Sequence, residues 1–139
     1  MSVFLNNKVG VKINSVDLSD HVSSVTLTRN FDELEVSAMG DLSHRFTKGL
    51  EASTVTIDFF NDEATGSVLP TLQAAWGTTV TLAMIQDKTA AVSATNPLYS
   101  MSILVNKTTD INGKVSELST QSVTFTVNSV TTVSPTGTF

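Results

Sequence analysis

The chain has 139 residues, no cysteine and a formal net charge of −5 at pH 7. This length suits one domain that buries roughly 68–70% of its unfolded surface, and the lack of cysteine excludes disulfides, thiolate metal sites and cysteine nucleophiles. The acidic balance disfavours a groove that holds nucleic-acid phosphates through clustered Lys and Arg. Only 15% of the residues are charged, against about 25% in ordinary soluble domains, which favours a subunit covered partly by copies of itself over a monomer.

The start of the chain, Met1 to Lys8, lacks the basic start and the long apolar run of a signal peptide. No later segment approaches the length of a membrane span. No repeat or low-complexity segment stands out. We therefore expect a single domain over residues 1–139, made in the cytoplasm as a soluble protein without contact to a membrane.

The first strands are predicted from short alternating runs. Apolar residues alternate over residues 9–13 and resume after Asn14-Ser15, which indicates a short hairpin with a two-residue turn. Residues 22–29 predict a second strand. Its irregular apolar spacing indicates a bulge near Ser23-Ser24.

The longest alternation runs over residues 50–60. Val55, Ile57 and Phe59 would point to one face of a half-buried strand, while the intervening positions, including Asp58, are polar. Most of these polar residues are Thr instead of Lys or Glu. This polar face could contact bulk water. Alternatively, it could contact a neighbouring subunit or line an enclosed channel.

A predicted loop precedes this strand. Residues 33–38 alternate with Glu33 and Glu35 on one face, whereas residues 39–49 contain two glycines, mixed charges and no period. Because a fully solvated loop has little use for apolar side chains, we interpret residues 39–49 as a docking loop. Its candidate contact residues are Met39, Asp41, Leu42, His44, Arg45, Phe46 and Lys48.

One short amphipathic helix is predicted over residues 68–76. Ser67 suits the N-cap, Pro70 falls in the first turn, and Gly77 follows as the C-cap. The apolar stripe should pack on the sheet. It consists of Leu69, Leu72, Ala75 and Trp76.

The remaining chain predicts three further strands, over residues 78–85, 99–105 and 122–130. Asn112-Gly113 is the best hairpin-turn dipeptide, and residues 131–139 resemble a flexible or partner-ordered tail. Together these elements predict a mainly β fold. We expect an antiparallel β-sandwich or half-barrel with one flanking α-helix.

Candidate catalytic groups are sparse. His21 and His44 are too few and too far apart in sequence to indicate a site, and the cluster of Asp32, Glu33 and Glu35 shows no paired spacing of the glycosidase type. No phosphate loop, dinucleotide fingerprint, nucleophile elbow or zinc-protease motif is present. We expect no enzymatic activity, no cofactor and no metal.

Four segments carry a family resemblance without a catalytic motif. In chain order they are Val16-Asp-Leu-Ser-Asp-His-Val-Ser-Ser-Val-Thr-Leu, Ala38-Met-Gly-Asp with Gly49-Leu-Glu-Ala-Ser-Thr-Val-Thr-Ile-Asp-Phe, Trp76-Gly-Thr-Thr-Val after the helix, and Val92-Ser-Ala-Thr-Asn-Pro-Leu-Tyr. In this order the chain resembles the major tail tube proteins of long-tailed bacteriophages of the siphophage type. The likeness covers most of the chain.

This resemblance implies a structural subunit of hexameric rings, which stack into a tube with a β-barrel lumen that conducts the phage genome. It implies a place in the virion tail after synthesis in the host cytoplasm. The implied partners are further copies, the tail-tip or baseplate initiator, the tape measure, the terminator and passing DNA.

Residues 39–49 would reach an adjacent subunit or ring, and the termini would help to join rings. A cationic wall would hold DNA, so an acidic or neutral lumen is expected. The candidate lumen-facing acids are Glu33, Glu35 and Asp58, and the resemblance does not decide which strand face points inward.

Three alternatives stand beside this reading. One is another phage tail or head–tail connector component with the same fold. A carbohydrate-binding or adhesin-like β-sandwich would need an exposed aromatic platform, which an aromatic content of 6% disfavours. An enzyme would require a cleft shared by His21, His44 and the acidic cluster.

Overall fold

The computed structural model describes residues 6–139, which are mainly β. Residues 1–5, on which the prediction of no signal peptide partly rests, lie outside the described residues. One α-helix, α1 (Val68–Ala74), accompanies the strands in this part of the chain. The strands are β1 (Gly10–Ile13), β2 (Val16–Asp17), β3 (Val22–Thr28), β4 (Phe31–Glu35), β5 (Phe46–Glu51), β6 (Thr54–Phe60), β7 (Thr79–Ile85), β8 (Leu98–Leu104), β9 (Thr120–Val127) and β10 (Thr132–Ser134).

The main sheet is antiparallel, with the strand order β2-β1-β7-β8-β9-β6-β3 and with β10 added beside β8. Strands β8 and β9 pair at only two positions, Ile103 with Val127 and Leu104 with Thr126. Side chains from both sides of this junction meet in one core, so the sheet folds over into two layers. This confirms the predicted antiparallel β-sandwich with one flanking helix.

The core consists of the alternating positions that the sequence predicts. Val55, Ile57 and Phe59 of β6 are fully buried, as are Val123 and Phe125 of β9. Each such side chain contributes about 1.5–3 kcal/mol relative to its exposure to water. The opposite layer and the helix supply Val11, Ile13, Leu82, Met84, Met101, Ile103, Val68, Leu72 and Ala75.

The local turns of the first strands follow their residue types. Asn14 and Ser15 both have positive φ, 51° and 68°, as a tight turn between β1 and β2 requires. The register of β3 against β6 shifts between Val22 and Ser24. Both the predicted hairpin and the predicted bulge are confirmed.

Helix α1 ends earlier than predicted. Trp76 lies beyond the helix and is 55% exposed, so its assignment to the packed stripe is wrong. Gly77 has a φ of 74° and donates its N–H to the Val105 carbonyl (2.9 Å), which turns the chain into β7. Ser67 occupies the N-cap position, but its side chain makes no capping hydrogen bond.

Two predicted segments differ in extent. The alternation over residues 50–60 is interrupted at Ala52 and Ser53, where the chain leaves β5 and enters β6. Residues 46–49, predicted as loop, belong to β5. Asn112-Gly113 is not a hairpin turn, because it lies inside the irregular connection between β8 and β9.

Residues 131–139, expected to form a flexible or partner-ordered tail, pack on the body of the fold. Strand β10 pairs with Leu98–Ser100 of β8. The Phe139 ring centroid lies 4.6 Å from Lys12 Nζ, within cation–π distance. The same ring lies against Gly10, where an added Cβ would be 2.7 Å from it.

Gly10→Ala tests this contact. The new methyl group would displace the Phe139 ring and the Lys88 side chain, whose Cβ would be 2.8 Å away. We expect carboxypeptidase to release Phe139 several times faster, with a loss of unfolding free energy of at most about 1 kcal/mol. Gly113→Ala is the control, because a Cβ there meets nothing within 4 Å. Equal release rates in both variants would show that Gly10 does not hold the tail in place.

Candidate assembly surfaces

Strands β4 and β5 form a separate two-stranded sheet, which we term the hairpin (residues 31–51). Its cross-strand pairs include Glu33 with Lys48 and Glu35 with Phe46. None of its strand residues is buried. The hairpin therefore lacks the packed face that normally stabilises such a sheet. An isolated two-stranded hairpin of this kind is only marginally stable in water.

The hairpin carries a concentration of exposed apolar side chains. Met39 and Leu42 at its tip are fully exposed, and Leu50 near its base is 81% exposed. Scattered apolar residues are ordinary on a surface, but a cluster on an element without a core marks a site of interaction. The full set is Phe31, Leu34, Val36, Met39, Leu42, Phe46 and Leu50.

Hydrogen bonds fix the tip of the hairpin. The Ala38 N–H donates to Asp41 Oδ2 (2.7 Å) and the Arg45 N–H donates to Ser37 Oγ (2.8 Å). Arg45 also pairs with Asp41, at 3.6 Å between Nη1 and Oδ1. The two apolar tip residues therefore project from an ordered turn with a charged margin.

The structure brings all of the predicted docking residues onto the hairpin. Phe46 and Lys48 lie in β5, and the others lie at the tip. The Lys48 ammonium is 5.7 Å from the centroid of the Phe31 ring, and His44 Nδ1 is 3.3 Å from Glu35 Oε1. The sequence prediction missed Phe31, Leu34, Val36 and Leu50, because it limited the docking loop to residues 39–49.

A polar network anchors the base of the hairpin to the main sheet. Glu51 Oε1 accepts hydrogen bonds from the Thr131 N–H (3.2 Å) and from Ser53 Oγ (2.9 Å). Ser53 in turn accepts the Asn30 N–H at its Oγ (3.4 Å) and the Val127 N–H at its carbonyl (3.2 Å). The Thr131 N–H, followed by the Ser53 hydroxyl, lowers the pKa of Glu51 from its ordinary value.

This lowered pKa predicts a pH-dependent anchor. Because folding lowers the pKa, the stabilisation is present above the ordinary glutamate pKa of about 4.3 and is lost as the pH falls through the lowered value. We expect the Thr131 and Ala52 amides to lose hydrogen-exchange protection on acidification in the wild type, and Glu51→Gln to show that loss already at neutral pH. Glu117→Gln, on an exposed side chain, is the control. Unchanged protection in Glu51→Gln would exclude the carboxylate as the anchor.

A second surface, the threonine face, covers the outer side of β3, β6 and β9. Strand pairing aligns Thr26, Thr56 and Thr124 in one row and Thr28, Thr54 and Thr126 in the next. The hydroxyls of Thr56 and Thr124 are 3.0 Å apart. The threonine face comprises Ser24, Thr26, Thr28, Thr54, Thr56, Asp58, Ser122, Thr124 and Thr126.

Scans against protein-family models and curated proteins find no match to this chain. Its function is therefore inferred from the hairpin and the threonine face.

The predicted acidic residues fall on two different surfaces. Asp58 is the one charged side chain of the threonine face. Glu33 and Glu35 lie on the hairpin, where Glu33 is paired across the strands with Lys48 and Glu35 lies beside His44. The three acids thus do not share one strand face.

The two histidines also have separate environments. His21 Nε2 lies 2.9 Å from Asp62 Oδ2, near the start of α1, whereas His44 lies beside Glu35 on the hairpin. Within residues 6–139 no group of three His, Asp or Glu side chains is placed to hold a metal ion. In the same residues no helix has the length and apolarity needed to cross a bilayer.

Proposed function

We propose that this protein is a structural subunit that assembles with its own copies into stacked hexameric rings, forming a phage tail tube that conducts DNA. The hairpin carries this proposal. It exposes apolar side chains on a sheet without a core, and a neighbouring subunit would supply the missing packed face. The low charge content of the chain, 15%, is consistent with extensive contact between copies.

The chemistry of the hairpin tip suits a protein–protein contact. Met39 and Leu42 are the fully exposed apolar residues of the tip, and the Asp41–Arg45 and Glu35–His44 pairs lie on the same hairpin. An apolar centre with a polar rim is the usual anatomy of an interface. When one copy inserts such a projection into a different surface of the next, the contact is heterologous and generates rings or open stacks.

The threonine face is the proposed wall of the lumen. Hydroxyl groups carry no formal charge and gain nothing from the counterion release that drives cationic surfaces onto DNA. Asp58, on the middle strand of that face, repels phosphate. A DNA duplex would therefore pass such a wall without being held.

Asp58→Lys should convert a passive wall into one that retains DNA. We expect assembled tubes of this variant to retain duplex DNA at low salt in a filter assay and to release it as salt rises, because each added cation releases counterions on binding. Asp110→Lys makes the same charge change in the connection between β8 and β9, away from the threonine face. Equal retention by both variants would place the lumen elsewhere.

Electron microscopy of the purified protein at rising concentration, with particle mass measured in parallel, tests the proposal directly. Rings or uniform hollow tubes are the expected products. A particle that stays monomeric at every concentration, and also when mixed with preformed tail-tip complexes, would overturn it. Another tail or head–tail connector component would share the hairpin contact but would form a single ring at one position in the virion.

A further inference from the structure

The connection between β8 and β9 (residues 105–119) is held against the start of β9 by side-chain amides. Asn112 Nδ2 donates a hydrogen bond to the Thr120 carbonyl. The side-chain carbonyl of Gln121 accepts the Thr109 N–H (2.8 Å). Gln121 is buried, whereas Asn112 is exposed. One attachment of this connection therefore depends on an amide group that water can reach.

Asn112 is followed by glycine, in a segment without regular secondary structure. An asparagine side chain deamidates when the backbone nitrogen of the next residue attacks its Cγ atom. Glycine permits this attack best, because it has no Cβ to hinder the nitrogen or to restrict the backbone. No other asparagine of the chain precedes a glycine. The sequence thus makes Asn112 the most reactive asparagine.

The surroundings of Gly113 leave its backbone free for this reaction. A Cβ built on Gly113 meets nothing within 4 Å, so no neighbouring atom crowds the backbone there. Among residues 6–139, no backbone carbonyl accepts a hydrogen bond from the Gly113 N–H. The attacking nitrogen is therefore not held by the fold.

We propose that Asn112 is a site of spontaneous deamidation, and that this reaction releases the connection from β9. The Gly113 nitrogen bonds to Asn112 Cγ and gives up its proton, and the side-chain nitrogen leaves as ammonia. Water then opens the resulting succinimide ring to aspartate or isoaspartate, without oxidation or reduction.

The product loses the hydrogen bond that Asn112 makes. An ionised carboxylate accepts hydrogen bonds but donates none, so it cannot replace the bond from Nδ2 to the Thr120 carbonyl. Its negative charge also repels the partial negative charge of that carbonyl oxygen. The inference concerns the single subunit and does not depend on the proposed tube.

Peptide mapping by mass spectrometry, on protein kept at mildly alkaline pH, measures the reaction at each asparagine. We expect deamidation at Asn112 to be at least about tenfold faster than at Asn14 or Asn128, because the serine that follows each of them restricts the attacking backbone. Gly113→Ala should slow the reaction at Asn112 to a similar degree without altering the fold, since the new methyl group meets no neighbour. An unchanged rate in this variant, or equal rates at the three asparagines, would overturn the assignment.

Asn112→Asp tests the structural consequence, because it carries the carboxylate of the product. We expect the Thr109 amide to exchange hydrogen several times faster in this variant than in the wild type, since the connection has lost its neighbouring attachment. Asn106→Asp is the matched control, with the same charge change on an exposed side chain of the same connection. Equal exchange in the two variants would overturn the release of the connection.

Discussion

The double variant Met39→Ser/Leu42→Ser is expected to fold like the wild type and to lose self-assembly. Both side chains are fully exposed in the subunit, so the unfolding free energy should change by no more than about 0.5 kcal/mol. In the assembled state each would be buried, which is worth about 1.5–3 kcal/mol per side chain. Removing both should raise the concentration needed for assembly by about a hundredfold or more.

Ile111→Ser/Leu118→Ser provides the matched control. These side chains are 91% and 77% exposed, in the connection between β8 and β9. Light scattering and electron microscopy across a concentration series would measure assembly, and urea denaturation would measure stability. Tubes formed by the hairpin variant at wild-type concentrations would exclude the tip as a docking surface.

Phe59→Ala should have the largest effect on stability. The side chain is fully buried between the two layers, and such a truncation costs about 3–5 kcal/mol through lost burial and the cavity that remains. Since domains of this kind have a total stability of about 5–15 kcal/mol, the variant should be close to unfolded under mild denaturing conditions. A urea titration followed by circular dichroism measures the shift.

Phe60→Ala is the neighbouring control. Phe60 points to the outer side of the same strand and is 38% exposed, so its truncation should cost about 1 kcal/mol or less. Similar losses in the two variants would contradict the assignment of the inner and outer faces of β6. The comparison therefore also tests which side chains belong to the threonine face.

Strand faces were predictable from the sequence because burial on one side of a sheet repeats every second residue. The alternation of Val55, Ile57 and Phe59 specifies the inner face without knowledge of the partners. The end of the helix was less predictable. Trp76 continues the apolar spacing, yet the helix stops at Ala74 and leaves it exposed.

The sequence analysis assigned most of strand β5 to a loop, because residues 39–49 contain two glycines, mixed charges and no apolar period. The pairing of β4 with β5 shifts between Phe31 and Glu33, and Gly49 lies at this irregularity. A Cβ at Gly49 would lie 2.7 Å from the Asp32 carbonyl oxygen, so the close approach of the strands requires glycine. A residue that ordinarily indicates a turn here permits a bulged strand.

The candidate surfaces were predictable only in part. The proposed docking role of residues 39–49 followed from their apolar content, and the polar Thr positions of β6 were visible in the sequence. The alignment of these positions with β3 and β9 depends on strand pairing between distant segments, which a local pattern does not encode. Asn112-Gly113 shows the converse, a strong local turn signal without a tight hairpin.

The strand order sets when the hairpin gains a fixed orientation during folding. Strands β4 and β5 are neighbours in sequence, and such hairpins form within about 1–10 μs. The main sheet joins Thr56 to Thr124, 68 residues later, and such distant pairings slow folding. The base of the hairpin is anchored by the Val127 and Thr131 amides, and Thr131 follows Glu51 by 80 residues in the chain. The hairpin can therefore be held in one orientation only after this later part of the chain has been synthesised.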